Sequence, residues 1–156
     1  MDLKDLYKQL ILEESRNQSH KRELPEATHS GAGNNPSCGD ELELQLKLNP
    51  ETQVIEDCAF QGVGCAISTA SASIMAQLLT GKTVDEAKAL LHDFIDLIRN
   101  GEVDSETEER LAEAMAFADI SHMPARVKCA VLAWHTALHL LGEEIVDDAL
   151  TEEFLD

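Results

Sequence analysis

Aromatic side chains are scarce in this chain of 156 residues, where Phe, Tyr and Trp together make up 4%. Its core must therefore be built mainly from Leu, Ile, Val and Ala, within the 44% of residues that are apolar. The length suits one domain with a sizeable core and is too short for two of ordinary size. We therefore predict a single domain over residues 1–156.

Positive charge is scarce as well, because 12 Lys and Arg stand against 30 Asp and Glu and leave a formal net charge of −18. Such a surface repels nucleic acid and anionic membranes, which we exclude as partners, and it attracts basic proteins. Acidic residues concentrate in 102–119 and in the tail 143–156. We predict that most of them are solvated, with partner binding as the alternative.

Long apolar runs are missing too. None approaches the roughly 20 residues of a membrane-spanning helix, and the charged start MDLKDLYKQL is not a secretory signal. We therefore expect a cytoplasmic protein. In that reducing compartment, four cysteines indicate metal binding or thiol chemistry before disulfides. No CxxC pair is present, so no single segment supplies half of a metal site.

Two strands are predicted in the first half of the chain. Residues 41–48, ELELQLKL, alternate between leucine and polar residues, which is typical of a half-buried strand. The turn at Asn49 and Pro50 leads into a second strand over 52–60, and the two strands should pair as a hairpin. Residues 15–37 are polar and contain Gly and Pro, which indicates a long flexible connection.

Helices are predicted before and after this hairpin. Thr83 and Glu86 have the spacing of a capping box at the start of one of them. Strands early in the chain and helices late indicate an α+β fold, a small antiparallel sheet with helices packed on one face. The predicted helices cover 3–14, 65–79, 84–99, 105–119 and 124–141.

Three of the four cysteines stand where a thiol is accessible or acidified. Cys38 lies in a Gly- and Pro-rich loop two residues before Asp40. Cys65 opens a helix and Cys129 lies one turn into the last one, and a helix N-terminus favours the thiolate. Three such cysteines and a carboxylate fit a tetrahedral zinc-type site; the alternative is that they are small buried core residues. Cys58, inside the second strand, is expected in the core or on the sheet.

Two histidines on the last helix are four residues apart, a spacing that can bind metal. His135 follows Cys129 by six residues, which places it about 240° further round the helix axis. We therefore predict that His135 and His139 form an exposed polar face and do not join the cysteines.

The segments around these three cysteines resemble the three signature segments of the IscU/NifU family of iron–sulfur cluster assembly proteins, most closely its SufU branch. They are NPSCGD (35–40), GVGCAISTASASIM (62–75) and RVKCAVLAW (126–134). Lys128 stands where IscU proteins would have histidine, and the acidic stretch around 100–122 is similar to one that distinguishes SufU proteins. The resemblance covers residues 3–141 and implies a SufE/NifU-like fold.

The resemblance also implies a role for particular residues. It implies that Cys38 accepts persulfide sulfur from a SufS-type cysteine desulfurase. It also implies that this protein activates the desulfurase and is not itself an enzyme. Downstream iron–sulfur assembly proteins would be further partners. The resemblance implies one zinc ion bound by Cys38, Asp40, Cys65 and Cys129, with Arg126 near the site. Lys128 is a further supporting residue, and Gly39 and Gly64 beside the thiols are expected to open access to their sulfurs.

Two alternatives to this zinc-dependent sulfur acceptor stay open. The same four ligands suit an iron–sulfur cluster, which would make the protein an IscU-like scaffold. A purely structural zinc domain used for interactions is the more distant alternative. Within the preferred hypothesis, Asp40 takes the place of a fourth thiolate. We predict that it is the weaker and more exchangeable ligand, because zinc prefers sulfur to a single carboxylate oxygen.

Overall fold

The protein is a three-stranded antiparallel sheet covered by helices, as seen in a computed structural model that describes residues 2–143. The α+β class predicted from the sequence is confirmed. In chain order the elements are α1 Leu3–Glu14, β1 His29–Asn35, β2 Asp40–Leu48, β3 Ile55–Val63, α2 Ala66–Leu79, α3 Val84–Asn100, α4 Ser105–Leu111, a 3₁₀ helix Ala112–His122, and α5 Pro124–Leu140.

The central strand of the sheet is β2, with β1 on one side and β3 on the other. The predicted hairpin is present, since Leu44 pairs with Phe60 across β2 and β3. Leu44 and Leu46 are fully buried under the helices, whereas Glu41 and Glu43 are exposed on the opposite face. The alternation of ELELQLKL therefore marks the inner and outer faces of the sheet correctly.

The predicted long connection over 15–37 is wrong in its second half, because β1 occupies part of it. Glycine conceals this strand in the sequence, since HSGAGNN has no apolar alternation. The structure shows why glycine is needed: a Cβ on Gly33 would lie 2.3 Å from Thr136 Oγ1, and one on Gly31 would lie 2.6 Å from Leu140 Cδ2. The backbone of β1 thus packs closely against α5, and this contact replaces the burial of apolar side chains from β1.

The first part of that connection lies along the free edge of β3. The Phe60 N–H donates to the His20 carbonyl oxygen at 2.9 Å. Arg22 binds the carboxylate of Asp57 at 2.8 and 2.9 Å. β3 itself begins at Ile55 rather than at residue 52, because a turn with Gln53 at φ 60° precedes it.

Helix α5 is the axis of the core and packs against α2, α3 and β1. Its Trp134 is fully buried and stacks on Phe94 with ring centroids 3.8 Å apart. The indole N–H donates to Ser71 Oγ at 2.8 Å, and Ser71 donates to the Ala130 carbonyl oxygen at 2.5 Å. The small residues of α2 therefore allow α2 and α5 to approach closely.

The prediction that His135 is exposed is wrong, whereas His139 is exposed as expected. His135 is 2% exposed because β1, α2 and α3 surround α5 on several sides and bury every residue from 129 to 138. A helical wheel of α5 alone shows a polar face there, but β1 could not be placed from the sequence.

Of the remaining helix predictions, some are confirmed and one is wrong. The capping box is confirmed, since the side chains of Thr83 and Glu86 each accept a hydrogen bond from the other residue's backbone N–H. The continuous helix predicted over 105–119 is wrong, because Ala112 at φ 50° ends α4 and the chain continues as a 3₁₀ helix. Helix α1 is present but buries none of its residues.

Two predictions concern the chain ends and the membrane. The acidic tail 143–156 lies, apart from its first residue, outside the described residues. Among the helices of residues 2–143, none is long and apolar enough to cross a membrane.

Replacement of Phe94 by Ala should lower the free energy of unfolding by about 3–5 kcal/mol, because it leaves a cavity against the buried indole of Trp134. Urea unfolding followed by tryptophan fluorescence measures this loss, and Trp134 is the only tryptophan. Leu12 is 51% exposed, so Leu12→Ala is the control and should lower the free energy of unfolding by less than about 0.5 kcal/mol. Equal losses for the two variants would contradict this packing.

Candidate metal centre

The four predicted ligands come together where the β1–β2 loop meets the starts of α2 and α5. One donor atom each from Cys38, Asp40 and Cys129 forms a group in which all three atoms lie within 4.8 Å of one another. Cys65 is not in this group but adjoins it, because its N–H donates to Asp40 Oδ1 at 3.0 Å and its side chain hydrogen-bonds to Cys129. Cys58 stays apart, fully buried on β3 in the core.

Asp40 is the most firmly held of the four. The residue is 1% exposed, and its two carboxylate oxygens accept three hydrogen bonds. Oδ1 accepts from the Cys65 backbone N–H and from Ser68 Oγ, each at 3.0 Å, and Oδ2 accepts from Asn35 Nδ2 at 3.0 Å. Buried charge needs such donors, so these bonds fix the orientation of the carboxylate.

The cradle around Asp40 depends on the missing side chain of Gly64. A Cβ at this position would lie 2.4 Å from Ser68 Oγ and 2.9 Å from Asp40 Oδ1. The predicted supporting role of Gly64 thus has a steric basis that differs from the expected access to the thiol.

Cys38 is the least restrained of the four. Its thiol is half-buried, donates to the Ala125 carbonyl oxygen at a long 3.7 Å, and hydrogen-bonds to Cys129. Gly39 beside it is exposed at φ 70°, and a Cβ there would meet nothing within 4 Å. Judged by contacts with the rest of the protein, the least restrained candidate ligand is therefore Cys38. The sequence predicted instead that Asp40 would be the weaker ligand.

The pKa values of Cys65 and Cys129 are shifted in opposite directions, although both residues lie near helix starts. Cys65 is the N-cap of α2, where the Ser68 N–H donates to its sulfur at 3.4 Å. The hydrogen bond with Cys129 lowers the pKa of Cys65 to about 5, against the opposing effect of burial. The same bond, together with burial, raises the pKa of Cys129. Of the two thiols, Cys65 is therefore the one whose pKa is lowered and Cys129 the one whose pKa is raised.

The chemistry of the donors fits a metal ion. Three thiols and a carboxylate can supply the four ligands of a tetrahedral Zn²⁺ site, and metal binding would deprotonate the thiols. Thiolate ligands suit an iron–sulfur cluster as well. Three ligands of such a site would be the firmly oriented Asp40 and the hydrogen-bonded pair Cys65 and Cys129. The fourth would be the less restrained Cys38.

A model of the NifU-like N-terminal domain matches residues 6–136 of this chain. The chain belongs to this family. The predicted membership of the IscU/NifU group is thereby confirmed, on the three segments that carry the cysteines.

Relatives in the NifU-like family bear both IscU and SufU names. The iron–sulfur cluster assembly scaffold protein IscU of Thermotoga maritima is 38% identical over 136 residues, which is 87% of this chain and 92% of the relative. The zinc-dependent sulfurtransferase SufU of Bacillus subtilis is 37% identical over 133 residues, which is 85% of this chain and 87% of the relative.

Solved structures of NifU-like proteins share this fold. A crystal structure of an iron–sulfur cluster assembly scaffold protein for the SUF system, from Fervidobacterium islandicum, matches with a TM-score of 0.80 and 31% identity. The match covers 90% of this chain and 99% of that chain. A NifU-like N-terminal domain from Brucella abortus, at 24% identity and a TM-score of 0.77, has the same fold.

Two polar residues of this NifU-like site were missed by the sequence analysis. Asn35 and Ser68 donate to Asp40 and lie beside the thiols. A signal was available for each, since Asn35 opens the NPSCGD segment and Ser68 follows Cys65 by about one helical turn. Of the predicted supporting residues on α5, Arg126 is exposed on the first turn and Lys128 is half-buried.

Replacement of Gly64 by Ala should weaken zinc binding by about tenfold or more, because the Ser68 hydroxyl must turn away from Asp40. Competition with a chromophoric chelator measures the affinity. Gly142→Ala, at a glycine with φ 89° and no atom within 4 Å of a Cβ, is the control, because it strains the backbone at a position outside the site. If both variants bound zinc equally well, Gly64 would have no role in this cradle.

Iodoacetamide should label Cys58 only after unfolding, because burial and the neighbouring Asp57 raise its pKa to about 12 and the thiolate is the reactive form. Peptide mass spectrometry at neutral pH, with a chelator present, compares native protein with protein in urea. Cys38 and Cys65, the two partly exposed thiols, should both react in the native protein. Native labelling of Cys58 at the rate of Cys38 would show that the core is open there.

Proposed function

We propose that this protein is a zinc-dependent sulfur acceptor for iron–sulfur cluster assembly, which takes persulfide sulfur from a SufS-type cysteine desulfurase and activates that enzyme. The observation that carries the proposal is the unequal restraint of the donors. Cys38 is half-buried on a loop, and the bond from its sulfur to Ala125 is 3.7 Å long, whereas the buried Asp40 accepts three hydrogen bonds of 3.0 Å. The relative from Bacillus subtilis named a zinc-dependent sulfurtransferase supports it.

The proposed ligands of the zinc ion are Cys38, Asp40, Cys65 and Cys129. When bound, zinc would hold the thiols as thiolates and protect them from oxidation. Three of these ligands belong to parts of the protein that pack firmly, so they keep the site together. Cys38 lies in a loop, which allows it to reach a partner's active site.

Sulfur transfer needs no further reactant. The Cys38 thiolate attacks the outer sulfur of the desulfurase persulfide, and a new sulfur–sulfur bond forms on Cys38. The bond between the two persulfide sulfurs breaks, and the desulfurase cysteine leaves with the electron pair as a thiolate. The protein is then a carrier of sulfur for downstream assembly proteins, and it acts as a sulfurtransferase only together with the desulfurase.

Arg126 and Lys128 lie on the first turns of α5, where the Cys38 thiol contacts the carbonyl oxygen of Ala125, and they are positive in a chain with a net charge of −18. A persulfide is anionic at neutral pH, so these side chains favour its approach. The predicted cytoplasmic location agrees with a desulfurase partner and stays a prediction.

A scaffold function is the second candidate, because a relative named IscU scaffold protein is as similar to this chain as the one named SufU. In that case the same donors would hold an iron–sulfur cluster during assembly. Lys128, where the resemblance calls for histidine in IscU proteins, favours the acceptor over the scaffold.

Zinc-loaded wild-type protein should stimulate alanine production by a SufS-type desulfurase, and Cys38→Ala should abolish the stimulation. Mass spectrometry should find one added sulfur atom on Cys38. Asp40→Ala should lose zinc, because it removes a ligand held by three hydrogen bonds. Cys58→Ala, which changes a thiol outside the site, is the control and should keep the stimulation.

The other functions predict different results. Absence of stimulation together with a stable cluster on the same residues would make the protein a scaffold. Unfolding on zinc removal, with all thiols unreactive while zinc is bound, would indicate a structural zinc domain. Normal sulfur transfer to Cys38→Ser would refute Cys38 as the acceptor.

A further inference from the structure

Asn35 joins two of the proposed ligands through one side chain. It is the last residue of β1, pairs with Asp40 across the sheet, and is fully buried. Its Nδ2 group donates to Asp40 Oδ2 at 3.0 Å and lies 3.5 Å from the sulfur of Cys129 as a second acceptor. Its Oδ1 accepts from Ser37 Oγ at 2.9 Å, which is consistent with the amide's orientation.

We propose that Asn35 is a positioning residue of the metal centre, whose amide group orients Asp40 and donates to the Cys129 sulfur, and so sets how tightly metal is held. The inference rests on the proposed metal centre and deepens it. Asn35 does not itself supply a ligand, because the group that faces Asp40 and Cys129 is a donor.

The hydrogen bonds around Asp40 show which oxygen remains available to a metal. Oδ1 accepts two hydrogen bonds, from the Cys65 N–H and Ser68 Oγ, which use its two lone pairs. Oδ2 accepts one, from Asn35, and keeps the other lone pair. Asn35 therefore holds Oδ2 in place while leaving it free to bind, and we assign Oδ2 as the ligand atom.

The bond to Cys129 has a second effect. An N–H that donates to a ligand sulfur draws negative charge from it, and such hydrogen bonds tune metal sites and cluster potentials. Cys129 is fully buried, so water cannot take over this role. A neutral amide supplies the donor at two acceptors without adding a positive charge that would oppose a cation.

Asn35 stabilises the fixed side of the site and not the acceptor. None of its side-chain hydrogen bonds goes to Cys38, whose sulfur contacts the Ala125 carbonyl oxygen. The Cys38 N–H donates to the backbone carbonyl oxygen of Asn35 at 3.3 Å, a main-chain bond that substitution of the side chain does not remove. Loss of the Asn35 amide should therefore change metal affinity and ligand geometry, while the thiol of Cys38 stays as reactive in chelator-treated protein as in wild type.

The adjacent Asn34 offers a matched control, because it is exposed on the same strand and permits the same substitutions. Asn35→Asp keeps the shape of the side chain but replaces the donor by a carboxylate, and Asn34→Asp makes the same change in net charge. Asn35→Ala and Asn34→Ala form a second pair without added charge. Zinc affinity is measured by chelator competition, and ligand geometry by the absorption spectrum of the cobalt-substituted protein.

Both Asn35 variants should bind zinc about 10- to 100-fold more weakly than wild type, with a shifted cobalt–thiolate absorption band. Both Asn34 variants should stay within about twofold of wild type, as expected away from the ligands. The rise in melting temperature on adding zinc should shrink for the Asn35 variants. A merely structural asparagine would lower the melting temperatures with and without zinc alike and leave that rise unchanged.

The assignment of Asn35 would be overturned if either Asn35 variant bound zinc as tightly as wild type, or more tightly, and kept the wild-type cobalt spectrum. If Asn35→Ala does not fold, the isosteric Asn35→Asp decides. Wild-type protein that takes up neither zinc nor cobalt would instead overturn the metal centre itself, so the two failures are distinguishable.

Discussion

A single buried carboxylate organises the functional end of this protein. Asp40 is almost fully removed from solvent, and a charge at that depth requires hydrogen-bond donors from several parts of the chain. Asn35 at the end of β1 supplies one donor, and Cys65 and Ser68 at the start of α2 supply two. These bonds tie two strands to a helix, and they require glycine at position 64 because a Cβ would occupy the same space.

The remainder of the core brings α5 to this carboxylate, and with it Cys129. Glycines on β1 and small residues on α2 allow α5 to pack closely against both. A chain with few aromatic residues places its largest buried ones together beside this helix, where Trp134 stacks on Phe94 and Phe94 meets Phe117 edge to face. Cys58 faces this core, so its thiol is kept away from the metal donors.

The donors thus fall into two groups with different restraints. Asp40, Cys65 and Cys129 are fixed by hydrogen bonds and by packing, whereas Cys38 lies half-buried on a loop. A purely structural zinc site would gain from four equally fixed ligands. The difference is what a sulfur acceptor needs, because one thiol must leave the site to react while the site itself persists.

The sequence by itself determined the parts that rest on local pattern. The alternation of 41–48 identified the central strand, Thr83 and Glu86 identified a helix start, and three cysteine segments identified the family and four candidate ligands. Only the tertiary structure decided the glycine strand β1, the burial of His135 and the bridge from Asn35 to Asp40 and Cys129. Each of these depends on contacts between distant segments, as in the bond from Asn35 to Cys129, which are 94 residues apart in the chain. Periodicity and spacing describe neighbours along the chain, so they cannot report which side chains meet across the core.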